Sequence, residues 1–594
     1  MRLPNLFQTR NGRFAAFFLL YVTEGIPLGF AATAVATQLR RQGVGPAEIG
    51  AFIGLFYLPW AFKWAFGPIV DVFAIERLGR RRGWILGTQI VMVATLFATS
   101  FLKLPEQLWL FSAILLVHNT FSATQDVAID ALAINTLDEQ ERATASGVMF
   151  AGASIGQMIG GSGALLVTSW FGFQSSFYFV SAAILLVTLF VVLPMKEAAT
   201  PPRVRAAGSA MAAAGREMRE FAVTAFKSFM GTRGAFVGLF MSLLPPGAMC
   251  LGLALQSNLA VELGMDDGAV ATMNFWSTLI GAAGCLSGGL IADRFDRRHA
   301  LTWYILLMSI PVFVMALVLQ HFNWIMPIAP DAAKPDVPTL LMTAFWATTL
   351  VYAFFNGMMY SATTAIFMDV TNPVVAGTQF TAYMAMFNLA ISYSATWQGI
   401  SIEAWGYPGT MIVDGFYGML YLLVLPLTRK RPGDVAADNA LAPGRARKLG
   451  LVLALLCLAW LPVHALESQF GAAKDIVNIL FTLVFIASAL FLLAGAALLG
   501  AVAGRLTRIG AWFSPLLLLM QVRNYQDGLA AKLGVSTQSL GATLDIFLYG
   551  VPLLAAVLLW QMSRHAWADL AMPSTTEGEA GDTALPDAKL AAAS

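Results

Sequence analysis

The sequence predicts an all-α polytopic membrane protein built from two similar six-helix halves, with two or three additional transmembrane helices after them. Three observations carry this. Hydrophobic residues make up 58% of the 594 and charged ones 12%, where a soluble chain carries roughly 25% charged residues; the mean hydropathy is +0.69. Apolar runs of about 20 residues, long enough to cross a bilayer, follow one another through most of the chain. Finally, a polar patch set inside one such run, Phe121 to Asp130 (FSATQDVAID), recurs 239 residues on. There Phe121-Ser122-Ala123-Thr124 becomes Tyr360-Ser361-Ala362-Thr363, and Asp130 becomes Asp369. A polar patch repeated at membrane depth in two halves points to a carrier made by duplicating a helical unit.

Residues 1–194 are expected to form the first six-helix bundle, with spans 1 to 6 at 14–35, 49–70, 84–103, 108–132, 143–168 and 173–194. The first run contains Glu24 and is followed by many more, so it reads as an uncleaved helix rather than a signal peptide. Residues 195–234 form a cytoplasmic linker that begins Pro-rich and basic (TPPRVR) and carries an amphipathic pattern over 208–230, either a helix lying on the inner surface or a plain tether. The second bundle occupies 235–428, with spans 7 to 12 at 235–260, 269–291, 300–320, 339–367, 377–403 and 409–428. A cytoplasmic loop, 429–448, leads to additional transmembrane helices within 449–562, at 449–466, 476–503 and 541–561; the run 511–521 is too brief to cross alone. Residues 573–594, rich in Ser, Thr, Gly, Ala, Glu and Asp, read as a disordered tail.

Charge placement gives the orientation. With the N-terminus cytoplasmic, the inner segments of the core and the loop after span 12 collect 24 Lys and Arg, against Arg40, Arg41, Lys103 and Lys334 outside. The net charge of +2 gives no reason to expect nucleic acid as a partner. Cys250, Cys285 and Cys457 stand singly in apolar runs, which fits small core residues and neither a disulfide framework nor a zinc site. No GxxxxGK[ST], HExxH or GxSxG occurs, so neither ATP drive nor hydrolase chemistry is expected, and no cofactor or metal.

Two inner loops follow one plan. GPIVDVFAIERLGRRRGW lies between spans 2 and 3, and GGLIADRFDRRHAL between spans 8 and 9. Each places a Gly (Gly67, Gly289) four residues before an Asp (Asp71, Asp293), then a cluster of Arg: Arg80, Arg81 and Arg82 in one, Arg294, Arg297 and Arg298 in the other. The glycines are expected to permit close helix contact. The aspartates are expected to pair with Arg across the seam between halves and hold the cytoplasmic side shut; ordinary positive-inside anchoring is the alternative. GLIADRFDRR resembles the loop signature of the major facilitator superfamily. The copy after span 2, with EGIPLGF in span 1, AFKWAFGPIVD in span 2, SATQDVAIDA in span 4 and GTQF at 377–380, resembles the AmpG muropeptide permeases, and the helices after span 12 are similar to that family's addition to a twelve-helix core.

Charges within a bilayer are costly unless they serve a cavity or a partner. Glu24 lies halfway along span 1 beside Gly25 and Pro27, where the helix is expected to unwind and low dielectric would favour a protonated carboxyl, which suits proton coupling. Lys63 lies mid-depth in span 2 and is expected to pair with Asp126 or Glu24, with substrate or proton competing; a static ion pair is the plainer alternative. Gln125 and Asp126 point about 100° apart, while Asp126 and Asp130 share a face. Asp130 and Asp369, nearer the inner ends, are candidates for gating contacts with loop arginines, and Asp414 is expected near the outer surface. By the resemblance, Tyr57, Trp60, Trp64, His118, Asn119, Gln125, Tyr360, Gln379 and Asn388 lie on cavity-lining helices, where aromatic faces stack on sugar rings and amides take hydroxyls. The Gly-rich spans 5 and 8 offer GxxxG spacings for sliding contacts.

The resemblance implies a monomeric secondary transporter of a bacterial inner membrane that imports a sugar-peptide from the periplasm with protons. A permease for an iron chelate or an acyl-coenzyme-type anion, and a membrane-embedded enzyme or scaffold, are the alternatives.

Overall fold

Hydrocarbon offers no hydrogen-bond partner to a bare peptide group, so a chain of this composition crosses as helix. The computed structural model describes residues 5–73, 78–137, 142–197, 210–329, 332, 335–372, 375–429, 441–499, 505–520, 537–564 and 567, and among these there is no strand. Span 1 is Arg10–Arg41, capped by Thr9, whose hydroxyl accepts the Gly12 N–H at 3.1 Å. It stays helical past Glu24 and Pro27, with a π-helical stretch at Phe30–Val35; the unwinding expected at Glu24 is not there. Span 2 breaks instead, into Pro46–Ala61 and Lys63–Val72, after Pro59 has removed one backbone donor. Lys63 is therefore the first residue of the second piece. Spans 3, 4 and 6 are Arg82–Thr99, Leu108–Thr136 and Phe173–Val192. Span 5 runs Arg142–Met158, Ile159–Gly163 and Ala164–Phe171, the middle piece π-helical.

In the second half, span 7 comes in two pieces, Arg233–Ser242 and Ala254–Glu262. Pro245, Pro246 and Gly247 (φ 91°) separate them. Spans 8, 9 and 10 are Asp267–Arg294, Arg297–His321 and Thr339–Val370. Spans 11 and 12 share Ala376–Met419, divided at Gly406, whose φ of 75° is open to glycine at little cost.

The tightest helix approaches lie within halves. Gly152, Gly156 and Gly160 of span 5 meet the backbone of span 1 at Phe18, Val22 and Ile26, and Gly284 and Gly288 of span 8 meet span 10. Any side chain at these positions would drive two backbones apart. Gly67 and Gly289, expected to do this, face open space instead. Across the seam, Gly50 of span 2 packs on Ala395 and Gly399 of span 11.

The linker helix, Ala210–Gly231, touches span 2, span 11 and the additional helices. The latter are Pro443–Ala465, Lys474–Leu499 and Thr537–Arg564, with a shorter Arg505–Leu518 packed between the last two. Their direction follows from contacts. Arg219 of the linker donates to the Ala497 carbonyl at 2.9 Å, and Trp567 stacks on Phe226 of the linker. His464 and Asp545 meet at the other end, 3.6 Å apart. Lys474–Leu499 and Thr537–Arg564 thus both run toward the linker.

Candidate functional site

Spans 1, 2 and 4 bring Glu24, Lys63, Asp126 and Asp130 together. Asn119, Asp126 and Asp130 recur at helical spacing on one stripe of span 4, and the break at Phe62 turns Lys63 toward it. The Lys63 ammonium pairs with Asp126, which is 2% exposed, and lies 3.2 Å from Asp130, which is 39% exposed. The hydroxyl of Tyr21 donates to the other Asp130 oxygen at 2.5 Å. Glu24 sits beside Asp126, within electrostatic reach of Lys63 and Asp130, and its Oε2 is buried with no hydrogen-bond partner among the described residues. From the second half, Tyr360 lies within electrostatic reach of Glu24, Lys63 and Tyr57.

The remaining candidate side chains divide. Trp60 carries the Lys63 ammonium 5.9 Å from its ring centroid and donates to Asn119 Oδ1 at 3.2 Å. Asn119 in turn donates to the Phe56 carbonyl. Gln125 donates to Thr23 at 2.9 Å, which Gln89 also reaches. His118 is fully buried against Met92 and Thr95 in the first bundle. Trp64 stacks on Phe221 of the linker at 5.7 Å. Asn388 is half-buried on span 11. Gln379 does not face a cavity: it is fully buried and bonds the Asn372 N–H, the Ser228 carbonyl and the Tyr383 hydroxyl, tying span 11 to the linker.

At the inner ends, Asp369 pairs with Arg297 at 2.7 Å and lies 3.9 Å from Arg298, all within the second half. Arg81 donates to the Val70 carbonyl within the first, Arg80 is half-buried and Arg294 is exposed. The side chains of Asp71 and Asp293 lie outside the described residues. The seam is closed at its opposite end by residues that no motif marks. Arg40 forms a buried ion pair with Glu262 and donates to the Ile328 carbonyl, while Tyr407 donates to the same Glu262 oxygen at 2.7 Å. Arg41 pairs with Asp267 at 2.8 Å, and Gln38 donates to Asp267 at 3.2 Å. The only sequence sign of this latch is two arginines on the side where basic residues are scarce. Beneath it lies a seam cavity of about 110 Å³, partly open to solvent, between spans 1, 2 and 5 and spans 7 and 8.

Asp414 is fully buried, not hydrated. It accepts the N–H groups of Met249 and Cys250 at 2.7 and 2.9 Å and the Gln398 amide at 2.7 Å, which satisfies the donors that the break in span 7 sets free. Asp414→Ala should therefore cost roughly 3 kcal/mol, read as a lower melting temperature in detergent. An unchanged melting temperature would remove this role.

Residues 14–319 match the family model described as Major Facilitator Superfamily. The anhydromuropeptide permease of Escherichia coli (strain K12) is 23% identical over 401 residues, 66% of this chain and 75% of that protein. A Rickettsia conorii protein carrying the transporter name AmpG 4 is 24% identical over 433 residues, 72% of this chain and 97% of its own. Among solved structures, a POT family transporter in complex with 5-aminolevulinic acid aligns with a TM-score of 0.53 at 9% identity, over 70% of this chain and 96% of that one.

Proposed function

Since the chain belongs to the major facilitator superfamily, we propose that it carries anhydro-muramyl peptides from periplasm to cytoplasm across a bacterial inner membrane, driven by protons through alternating access. The observation that carries the mechanism is the cluster of Glu24, Asp126 and Asp130 around the ammonium of Lys63. Glu24 and Asp126 are both buried and share one ammonium, more negative charge than one cation offsets away from water, so the cluster suits a proton or a cationic group of the cargo. The cargo is suggested by the likeness to the Escherichia coli permease, and a monomer is the expected working unit. The N-terminus is assigned to the cytoplasm on the basic residues counted above, which makes the Arg40–Glu262 end periplasmic. In that frame the closed periplasmic end, with Lys63, Asp130 and Tyr360 partly exposed, corresponds to an inward-facing carrier.

The direct test is counterflow in proteoliposomes loaded with labelled anhydro-muropeptide, with nucleotide, dipeptide and iron-chelate competitors. Exchange of the muropeptide alone is the expected result, and exchange of none of it would remove the cargo. A second prediction concerns the latch. In Glu262→Gln the Arg40 charge loses its partner, so the sealed form should be disfavoured. A cysteine placed at Thr33, in a background with Cys250, Cys285 and Cys457 replaced, should then react several-fold faster with an impermeant thiol reagent added outside. Equal rates with and without the latch would show that Arg40 and Glu262 do not gate.

A further inference from the structure

The charged cluster is only part of the space at the seam. The cavity under the latch is lined by Thr33, Gln157, Gln256, Ser257, Asn274 and Thr278 together with Tyr57, and among the described residues no carboxylate or cation joins them. Thr33, Ser257 and Asn274 are already engaged: Thr33 donates to Asn274 Oδ1 at 3.3 Å, Asn274 donates to Ser162 at 3.0 Å, and Ser257 donates to the Ala32 carbonyl at 3.2 Å. These bonds join the halves. Gln157 and Gln256 differ. Both are half-buried against the cavity, and among the described residues neither amide is engaged by another protein group. One belongs to span 5 and the other to span 7, so they reach the same space from opposite halves.

We propose that this cavity is a second, uncharged subsite in which Gln157 and Gln256 clamp a neutral group bearing amides and hydroxyls. It rests on the carrier reading above and divides the labour within it. A primary amide presents a donor pair and an acceptor, which complements another amide or a hydroxyl and gains little from a carboxylate or an ammonium. Charged parts of the cargo fall to Lys63 and its carboxylates; the neutral part falls here. Because the two amides belong to different halves, a group held by both is bound best when the seam above it is closed. Its binding free energy is thereby added to the sealed form. Two sources share this chemistry, an acetamido sugar and a peptide backbone.

The experiment uses full-length protein in nanodiscs and two uncharged probes, di-N-acetylchitobiose and N-acetyl-alanyl-alanine amide, with binding read by titration calorimetry. Either probe should bind the native protein, and Gln157→Leu and Gln256→Leu, similar in bulk, should each weaken that binding about tenfold, the worth of one hydrogen bond left unmade. Loss for the sugar alone assigns the subsite to sugar, and loss for the peptide amide alone assigns it to peptide. Gln157→Asn and Gln256→Asn serve where a leucine variant does not fold. Unchanged affinity for both probes in folded variants, or no binding of either probe to the native protein, overturns the proposal. The probes do not depend on the cargo: a protein that fails to exchange muropeptide yet binds a probe through these amides would cost the cargo reading and keep the subsite.

Discussion

Lys63→Met should lose at least about a hundredfold in uptake and fold poorly, and adding Asp126→Asn should restore the fold without restoring transport. Asp126 is 2% exposed and paired with Lys63; removing the ammonium strands a buried charge at about 3–5 kcal/mol, which would be read as lower yield and melting temperature. Asp130 depends less on Lys63. It is 39% exposed and keeps the Tyr21 hydroxyl at 2.5 Å, so water and Tyr21 can support it alone. Asp126→Asn removes the stranded charge and should recover most of the stability. It cannot return the cation that the remaining carboxylates and an acidic cargo would share. A static brace makes the opposite prediction: once the neutral pair packs well, transport returns. Wild-type uptake by the double variant would therefore end the case for Lys63 as a working residue.

The spans were readable because the bilayer fixes both length and apolarity, so each run had to be one crossing or a broken one. The breaks were harder. Pro245 and Pro246 stood in plain view in span 7, but nothing local says that Asp414, more than 160 residues on, holds the Met249 and Cys250 N–H groups at the break. The duplicated pattern was equally partial. The interval that carries Gly67 to Gly289 carries Lys63 to Cys285, so the second half repeats the aspartate but not the lysine. That is why Asp130 meets Lys63 while Asp369 meets Arg297. Spacing located the acidic stripe of span 4. It misjudged Gly67 and Gly289, because a GxxxD pattern records sequence distance and says nothing of whether a neighbouring helix lies on that face. The latch escaped for a related reason: Arg40 and Glu262 are 222 residues apart, and either one alone reads as an ordinary charge at the membrane edge.

Glu24→Gln should abolish concentrative uptake and leave counterflow intact. Glutamine has the shape of a protonated glutamate and cannot release a proton, so the variant behaves as a carrier locked in its loaded protonation state. The position supports this. Glu24 lies beside Asp126, within reach of Lys63, yet its buried Oε2 has no hydrogen-bond partner among the described residues. A carboxylate oxygen unsatisfied in the interior is costly as an anion and inexpensive as an acid, so movement between the halves can be tied to whether the proton is present. Alternating access itself needs only that substrate fits both open forms, and exchange of labelled for unlabelled cargo draws on no gradient. Uptake against a gradient needs the proton to leave on the inner side, which the amide of the variant forbids. In energised membrane vesicles the variant should equilibrate cargo without accumulating it, and an uncoupler should make no further difference; in proteoliposomes its exchange should match the native rate. Full accumulation by Glu24→Gln would move the coupling site elsewhere, and loss of exchange as well would make Glu24 a structural residue.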